Sequence, residues 1–258
     1  MNLDFDNYIF DLYGTLVDIH TDEENLLLWE KMASYLEDNF GTRYTAKELK
    51  ADYARICKEE EDKLKELNHA LFPEIKIEKV WLRLINKEEN VLADEDDDKI
   101  KKLCIFFRET SRDKFEVYDG VFELFAELRK QGKKIFLLSN AQRSFTEKEL
   151  KDTGLYDKFD EIFISSDKGI KKPQKEFLEK LMEENDLIPQ KSVMVGNDIY
   201  SDVGVAFKNS IHSIFLNTYN YSEKRIDKEL REIGIKGSVF MPLILQGIDN
   251  FGLQTTLA

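Results

Sequence analysis

Carboxylates and hydroxyls stand at the ends of several short apolar runs in this chain, where their chemistry could be combined. Asp11 follows the apolar run 8–10 and precedes the turn residues Gly14 and Thr15. A carboxylate can act as a nucleophile when its own charge is balanced and the charge of its target is neutralised. The later runs end in Ser139 with Asn140, Ser165 with Ser166, and Asn197 with Asp198.

Cations and a further carboxylate lie close to these positions in the chain. The loop 168–175 contains four lysines, of which Lys172 precedes Pro173. Asp198 and Asp202 stand four residues apart. Mg²⁺ prefers oxygen ligands and keeps several waters, so two carboxylates would let it bridge the protein and a substrate phosphate. A lysine and a hydroxyl would hold the remaining phosphate oxygens.

The segments that carry these residues alternate between helical and strand patterns from residue 121 to residue 217. This alternation predicts an α/β fold, with a Rossmann-like parallel sheet and helices on both faces. Ligands of such sheets bind beyond the carboxyl ends of the strands. The strand-end residues are therefore expected to form one site.

A long region between residues 22 and 115 has a different pattern, since its charged segments have helical periodicity. It predicts an all-helical insert in which Trp29 and Trp81 belong to the core. We expect residues 17–116 to form this second unit. The parallel-sheet core would then comprise residues 1–16 and 117–258.

The composition excludes several classes of function. The 258 residues include 38 Lys and Arg against 51 Asp and Glu, a formal charge of −13, which argues against nucleic acid as a partner. No apolar run approaches the ~18 residues that span a bilayer, and the first residues lack signal-peptide features. We therefore expect a cytoplasmic protein without a membrane partner. Cys57 and Cys104 are expected to be ordinary buried thiols.

Four motifs in this order resemble those of the haloacid dehalogenase superfamily of hydrolases, across residues 5–217. The segment 11–15 resembles the first motif, and Ser139 with Asn140 the second. Lys172 with Pro173 resembles the third motif, and the acidic segment 197–202 the fourth. The helical insert is similar to the family's cap domain, which closes over the site and sets substrate choice.

The resemblance implies a role for each motif residue. Asp11 would be the nucleophile, Ser139 and Lys172 would hold the transferring group, and Thr15 and Asn140 would belong to the same catalytic site. A Mg²⁺ ion would be bound by Asp11, by the main-chain carbonyl of Tyr13 and by Asp198. Asp202 is the further candidate metal residue, or else an acid at a helix N-terminus. The function implied is a Mg²⁺-dependent phosphatase that forms an aspartyl-phosphate intermediate on a small phosphorylated metabolite.

Tyr13 departs from this pattern, because the family's phosphatases usually have a second aspartate there as acid and base. With an ordinary pKa near ~10, a tyrosine is a poor base at neutral pH, so slow turnover of poor leaving groups is expected. A tyrosine in this motif resembles the metal-independent 2-haloacid dehalogenases. If this chain has that chemistry, Arg43 or Arg55 of the insert would hold a substrate carboxylate. A third alternative is a non-catalytic ligand-binding member. Substrate and oligomeric state stay open.

The C-terminal segment carries less information. Residues 222–234 predict a surface helix. The apolar stretch 238–248 either adds a strand or packs on the core, and residues 251–258 are expected to be loosely held.

Overall fold

The computed structural model of the chain describes residues 4–86 and 97–249. Its larger sheet has six parallel strands in the order β5-β4-β1-β6-β7-β8, and its smaller sheet pairs β2 with β3 in antiparallel fashion. Asp11 thus follows a central strand. In chain order the strands are β1 (Asn7–Phe10), β2 (Val17–Thr21), β3 (Arg112–Val117), β4 (Lys134–Ser139), β5 (Glu161–Ile164), β6 (Ser192–Gly196), β7 (His212–Leu216) and β8 (Leu243–Leu245).

Ten α-helices lie in the described part of the chain, and none of them is long and apolar enough to cross a membrane. Four precede β3, and the rest alternate with the strands of the larger sheet. The helices are α1 (Leu26–Phe40), α2 (Ala46–Asn68), α3 (Ile77–Ile85), α4 (Asp98–Ser111), α5 (Val121–Lys130), α6 (Arg143–Asp152), α7 (Ser165–Lys168), α8 (Lys175–Glu184), α9 (Gly204–Lys208) and α10 (Glu223–Glu232).

The larger sheet is buried on both faces, which explains the continuous apolar runs of its strands. Successive side chains of a strand point to opposite faces. Tyr8 and Phe10 accordingly join the core cluster that contains Phe125 of α5, whereas Ile9 joins the cluster that contains Phe177 of α8. The predicted fold class, a Rossmann-like parallel sheet with helices on both faces and a helical unit beside it, is confirmed.

The helical unit, α1 to α4, is formed by the segment of chain between β2 and β3. It has its own core, in which Trp81 lies 5.2 Å from Phe107 between ring centroids and Trp29 lies 5.7 Å from Phe107. Both tryptophans are almost fully buried, as expected. The division into a core of residues 1–16 and 117–258 and a cap of residues 17–116 stays a prediction.

Three segments differ from the sequence-based expectations or resolve an open alternative. The helical pattern predicted as far as residue 115 ends at Ser111, because the alternating residues that follow pair with β2 as strand β3. Ser165 and Ser166 begin the short helix α7 and so follow strand β5, which ends at Ile164. Leu243–Leu245 adds a strand beside β7. Residues 251–258 lie outside the described part.

The two cysteines are free thiols. Cys104 is buried and Cys57 is half-buried. Burial raises the pKa of Cys57 to about 12 and that of Cys104 beyond its usual range, so neither forms a thiolate at neutral pH.

The start of α2 offers a test of local stability. Thr45 accepts a hydrogen bond from the Glu48 N–H through its hydroxyl, and the Glu48 carboxylate accepts one from the Thr45 N–H. Thr45→Ala is expected to lower the free energy of unfolding by about 1 kcal/mol in urea denaturation. Thr45→Ser keeps the hydroxyl and is the control. Equal losses in both variants would contradict a capping role.

Candidate active site

Three neighbouring strands of the larger sheet, β4, β1 and β6, end beside one another. The Asp11 N–H continues the ladder between β1 and β6 by donating to the Val195 carbonyl at 2.9 Å. The chain passes from β1 to β4 and β5 on one side and later to β6 on the other. Asp11 therefore lies where the strand order reverses, at the position where open α/β sheets bind their ligands.

The ammonium group of Lys172 lies between two buried carboxylates. Its Nζ atom is 2.7 Å from Asp11 Oδ1 and 2.8 Å from Asp202 Oδ1, and it donates a third hydrogen bond to the Leu138 carbonyl at 2.7 Å. An ammonium group has three donors, and these three acceptors use all of them. Lys172 therefore fixes the orientation of Asp11 and has no donor left for a substrate in this arrangement.

Burial and charge act in opposite directions on this triplet. Burial, together with the neighbouring Asp11 carboxylate, raises the pKa of Asp202 to about 7 against the opposing effect of Lys172. Burial alone would lower the pKa of Lys172, but the charges of Asp11 and Asp202 outweigh it and raise that pKa. Lys172 is therefore charged at neutral pH and balances two acids in a site of low dielectric.

Thr15 and Asn197 complete the surroundings of Asp11. The Thr15 hydroxyl lies 3.1 Å from Asp11 Oδ2 and 3.2 Å from Asn197 Oδ1, and can donate to either oxygen. Gly14 has φ +80°, and a Cβ atom there would lie 2.2 Å from Asn197 Nδ2. The glycine is required both by its backbone angle and by the close approach of Asn197.

Ser139, at the end of β4, has a fully buried hydroxyl without a hydrogen-bond partner in the described part of the chain. A buried hydroxyl without a partner costs about 1–3 kcal/mol, so its bond is expected to be made to a ligand. Asn140, the next residue, accepts from the Lys172 N–H at 2.8 Å and donates to the Lys172 carbonyl at 3.0 Å. Asn140 thereby holds the lysine segment in place.

The candidate metal ligands occupy different environments. Asp198 is exposed, and its side chain accepts from the Ser201 N–H at 2.6 Å. Asp202 forms an ion pair with Lys172 through Oδ1 and accepts a hydrogen bond from the Asp198 N–H through Oδ2. Residues 4–86 and 97–249 contain no group of three acidic, histidine or cysteine side chains suited to a metal. The carboxylates of Asp11 and Asp198 with the Tyr13 carbonyl still fit Mg²⁺ in kind, because this ion prefers oxygen ligands and retains waters.

The Tyr13 hydroxyl forms its hydrogen bonds with α6 and not with Asp11. It lies 2.9 Å from the Thr146 hydroxyl and donates a hydrogen bond to Glu149, and both partners belong to α6. Burial raises the pKa of Tyr13 well above its usual range, and the nearby Glu149 carboxylate adds to this shift while Arg108 opposes it. Tyr13 is therefore neutral and already hydrogen-bonded, which makes it a poor proton donor to a leaving group.

The charged cluster around Glu149 was not predicted from the sequence. This carboxylate is 4% exposed and accepts from Arg108 at 2.8 Å and from Arg112 at 2.7 Å. One feature of the sequence could have indicated this cluster: Glu149 lies on the face of α6 that also carries Phe145 and Leu150, both of them buried. A charge on an apolar helix face indicates a buried partner of opposite charge.

Arg43 and Arg55, the insert cations suggested for a substrate carboxylate, have exposed side chains. Arg43 pairs with Glu37, and Arg55 pairs with Asp52 and Glu59. The insert cation that approaches the site is Arg108, whose guanidinium lies 4.8 Å from the centre of the Tyr13 ring.

The sequence profile of the haloacid dehalogenase-like hydrolases matches residues 5–207. The chain belongs to this family. Pyrophosphatase PpaX of Bacillus cereus is 31% identical over 113 residues, which make up 42% of this chain and 52% of that protein. The chain thus spans about half the length of this curated relative.

Solved structures extend the likeness over nearly the whole chain. A 2-haloacid dehalogenase of Pseudomonas syringae superposes with a TM-score of 0.64 at 16% identity, covering 98% of this chain and 100% of that one. A HAD phosphatase of Thermococcus onnurineus gives a TM-score of 0.57 at 18% identity, covering 98% and 97% of the two chains. At these identities the likeness concerns the fold.

The Lys172 triplet predicts a pH-dependent loss of stability. Lys172→Met leaves two buried carboxylates without a cation, and we expect it to lower the free energy of unfolding by about 3–5 kcal/mol near pH 8. Burial already raises the pKa of Asp202, and removal of the cation that opposes this shift will raise that pKa further. Protonation of this carboxyl group therefore favours folding, and the loss should shrink as pH falls from 8 to 5.

Urea denaturation of wild type and variant at several pH values measures this effect. Lys175→Met is the matched control, because Lys175 forms an exposed pair with Glu179 and such pairs contribute about 0–1 kcal/mol. A Lys172→Met loss that is small, or that grows on acidification, would refute the balance of charges described here.

Tyr13→Phe separates a structural role of the hydroxyl from a chemical one. Glu149 would lose one of its donors, so we expect the free energy of unfolding to fall by about 1–3 kcal/mol. Because the hydroxyl does not act on the leaving group, kcat on any substrate found should change by less than about tenfold. A loss of several hundredfold in kcat that is larger for poor leaving groups than for good ones would show that Tyr13 donates a proton.

Proposed function

We propose that the protein is a Mg²⁺-dependent phosphatase that forms an aspartyl-phosphate intermediate at Asp11. The observation that carries this proposal is the buried, oriented Asp11 carboxylate beside the unpartnered hydroxyl of Ser139 on the adjacent strand end. A phosphoryl oxygen would supply the hydrogen bond that Ser139 lacks. The pyrophosphatase name of the Bacillus cereus relative supports phosphoryl chemistry.

In the first step, an Asp11 oxygen would form a bond to phosphorus while the bond from phosphorus to the leaving group breaks. The leaving group departs with the electron pair. Lys172 and Thr15 would hold the carboxylate in line, which lowers the entropic part of the barrier. Water would then attack the phosphorus of the intermediate, releasing phosphate and restoring Asp11.

A bound Mg²⁺ would offset the negative charge of the phosphoryl group and of the attacking carboxylate. Asp11, the Tyr13 carbonyl and Asp198 are the residues proposed to hold it. Asp198 would exchange its contact with the Ser201 N–H for the metal. Asp202, the further candidate ligand, would instead anchor Lys172, to which it is bound at 2.8 Å.

The position of Tyr13 narrows the class of leaving group. Its hydroxyl is bound to α6, so it would not protonate the departing oxygen. Leaving groups that are stable as anions need no such proton. We therefore propose phosphoric anhydrides, acyl phosphates and aryl phosphates as better substrates than simple alkyl phosphates.

Metal-independent dehalogenation is the second candidate, favoured by Tyr13 and by Asn197 at the position where the family often has aspartate. Attack of Asp11 on carbon would require a cation for the substrate carboxylate. Lys172 is fully engaged, and Arg108 is bound to Glu149. Because neither cation is available in this arrangement, the phosphatase proposal is preferred to dehalogenation and to a non-catalytic ligand-binding role.

Phosphate release from a panel of phosphorylated compounds tests the proposal. We expect release with Mg²⁺, its loss with chelator, and rates that rise steeply as the pKa of the leaving group falls across a series of aryl phosphates. Asp11→Asn should abolish release, because the amide is not a nucleophile.

Asp186→Asn is the control, because it also removes one carboxylate but at an exposed position. Release of halide from a 2-haloacid that persists in the presence of chelator would establish dehalogenation instead. Binding of phosphorylated compounds without any product would leave only the ligand-binding role.

A further inference from the structure

A segment of the helical insert, residues 72–77 between α2 and the start of α3, is hydrogen-bonded to the loop 169–174 of the larger sheet's domain. The Lys171 N–H donates to the Phe72 carbonyl at 3.0 Å, and the Glu74 N–H donates to a carbonyl of the same loop at 3.0 Å. These bonds form an antiparallel bridge between the two segments. The insert is therefore attached to the loop that carries the site lysine.

The Glu74 carboxylate connects the insert to a second part of the same domain. It accepts hydrogen bonds from the Ser165 hydroxyl at 2.8 Å and from Gln142 Nε2 at 3.1 Å. Glu74 is 9% exposed, and the ammonium group of Lys171 lies 3.9 Å from its carboxylate. Because burial removes the hydrogen bonds that water would make, a buried carboxylate needs such donors. These contacts therefore hold the insert segment in this position.

Both donors belong to the surroundings of Ser139. Gln142 follows Ser139 by three residues and makes two more hydrogen bonds with the main chain of the segment 72–77, at 2.9 and 3.0 Å. Ser165 Oγ accepts a hydrogen bond from the Ala141 N–H at 2.8 Å. The residues that follow Ser139 are thus bound to the insert, either directly or through Ser165.

One insert segment therefore joins the two parts of the chain that carry Ser139 and Lys172. Movement of the insert away from the sheet would break these hydrogen bonds and release both parts. A displacement of about 1 Å in a catalytic group can cost about a hundredfold in rate. The position of the insert is therefore coupled to the geometry of the proposed site.

We propose that Glu74 is a positioning residue, which orders the segments 139–142 and 169–174 for reaction while the insert lies against the sheet. The inference deepens the proposed function and rests on it for the roles of Ser139 and Lys172. The ordering of the two segments stands on the hydrogen bonds of the insert and does not depend on a substrate.

Hydrogen exchange of the main-chain N–H groups measures this ordering in the whole protein without any substrate. Glu74→Gln replaces one carboxylate oxygen with an amide group that cannot accept a hydrogen bond, so either Gln142 or Ser165 loses this acceptor. We expect exchange in peptides covering 139–142 and 169–174 to become about tenfold or more faster, while β6 and β7 keep their rates. Unchanged exchange in the two segments, or equal acceleration throughout the larger sheet, would overturn the proposal.

Glu60→Gln is the matched control. Glu60 is also 9% exposed, but its carboxylate pairs with Arg83 inside the insert at 2.9 Å. We expect this variant to leave exchange in both segments within about twofold of the wild type. Equal acceleration in the two variants would show that the loss of any buried carboxylate loosens the insert, and would overturn the proposal. Glu74→Asp, which keeps the charge but shortens the side chain, gives the same comparison if Glu74→Gln does not fold.

Kinetics on a substrate found in the phosphate-release panel give a second readout. Glu74→Gln should lower kcat about tenfold or more at saturating substrate, because a displaced Ser139 would stabilise the transferring group less well. Glu60→Gln should change kcat by less than about twofold. An unchanged kcat in Glu74→Gln despite faster exchange would overturn the positioning role.

The two proposals fail separately. Phosphate release by the wild type with unchanged exchange in Glu74→Gln would remove only the positioning role. Faster exchange in Glu74→Gln without phosphate release from any compound would remove the phosphatase function and leave the coupling of the insert to the two segments.

Discussion

The charge balance around the Lys172 ammonium group is the constraint on which the rest of the site depends. Two buried carboxylates, one directly after β1 and one in the helical turn 199–203 after β6, would repel each other and resist burial without this cation. The lysine must therefore lie between them, and Asn140 holds its backbone there by two hydrogen bonds. The Asp11 carboxylate is thus oriented by a contact between three separate parts of the chain.

This arrangement divides the strand ends into fixed and available groups. Lys172 binds both Asp202 and Asn140, whereas the Ser139 hydroxyl has no partner in the described part of the chain and the Asp198 carboxylate is exposed. Electrostatic preorganisation of this kind costs little at the moment of reaction, because the dipoles and charges are already in place.

Much of this was predictable from sequence, because it follows from local pattern. Apolar runs with polar ends predicted the strands, and parallel strands bring their carboxyl ends together, so Asp11, Ser139 and Asn197 were expected to meet. The contacts of Tyr13 and Asp202 were not predictable. They depend on how α6 and the turn at 199–203 pack in three dimensions, and no local pattern encodes the direction of a side chain between distant elements. Strand β3 was missed because its charged residues also suit a helix.

The buried Glu149 carboxylate has a consequence for how this site can change in evolution or in the laboratory. An aspartate at position 13 would remove the phenol that donates to Glu149, and its shorter side chain would place its oxygens short of the position of the phenol oxygen. The almost fully buried Glu149 carboxylate would keep Arg108 and Arg112 as donors but lose its hydroxyl donor. Position 13 is therefore coupled to positions 108, 112 and 149, so the effect of a substitution at one of them depends on the residues at the other three.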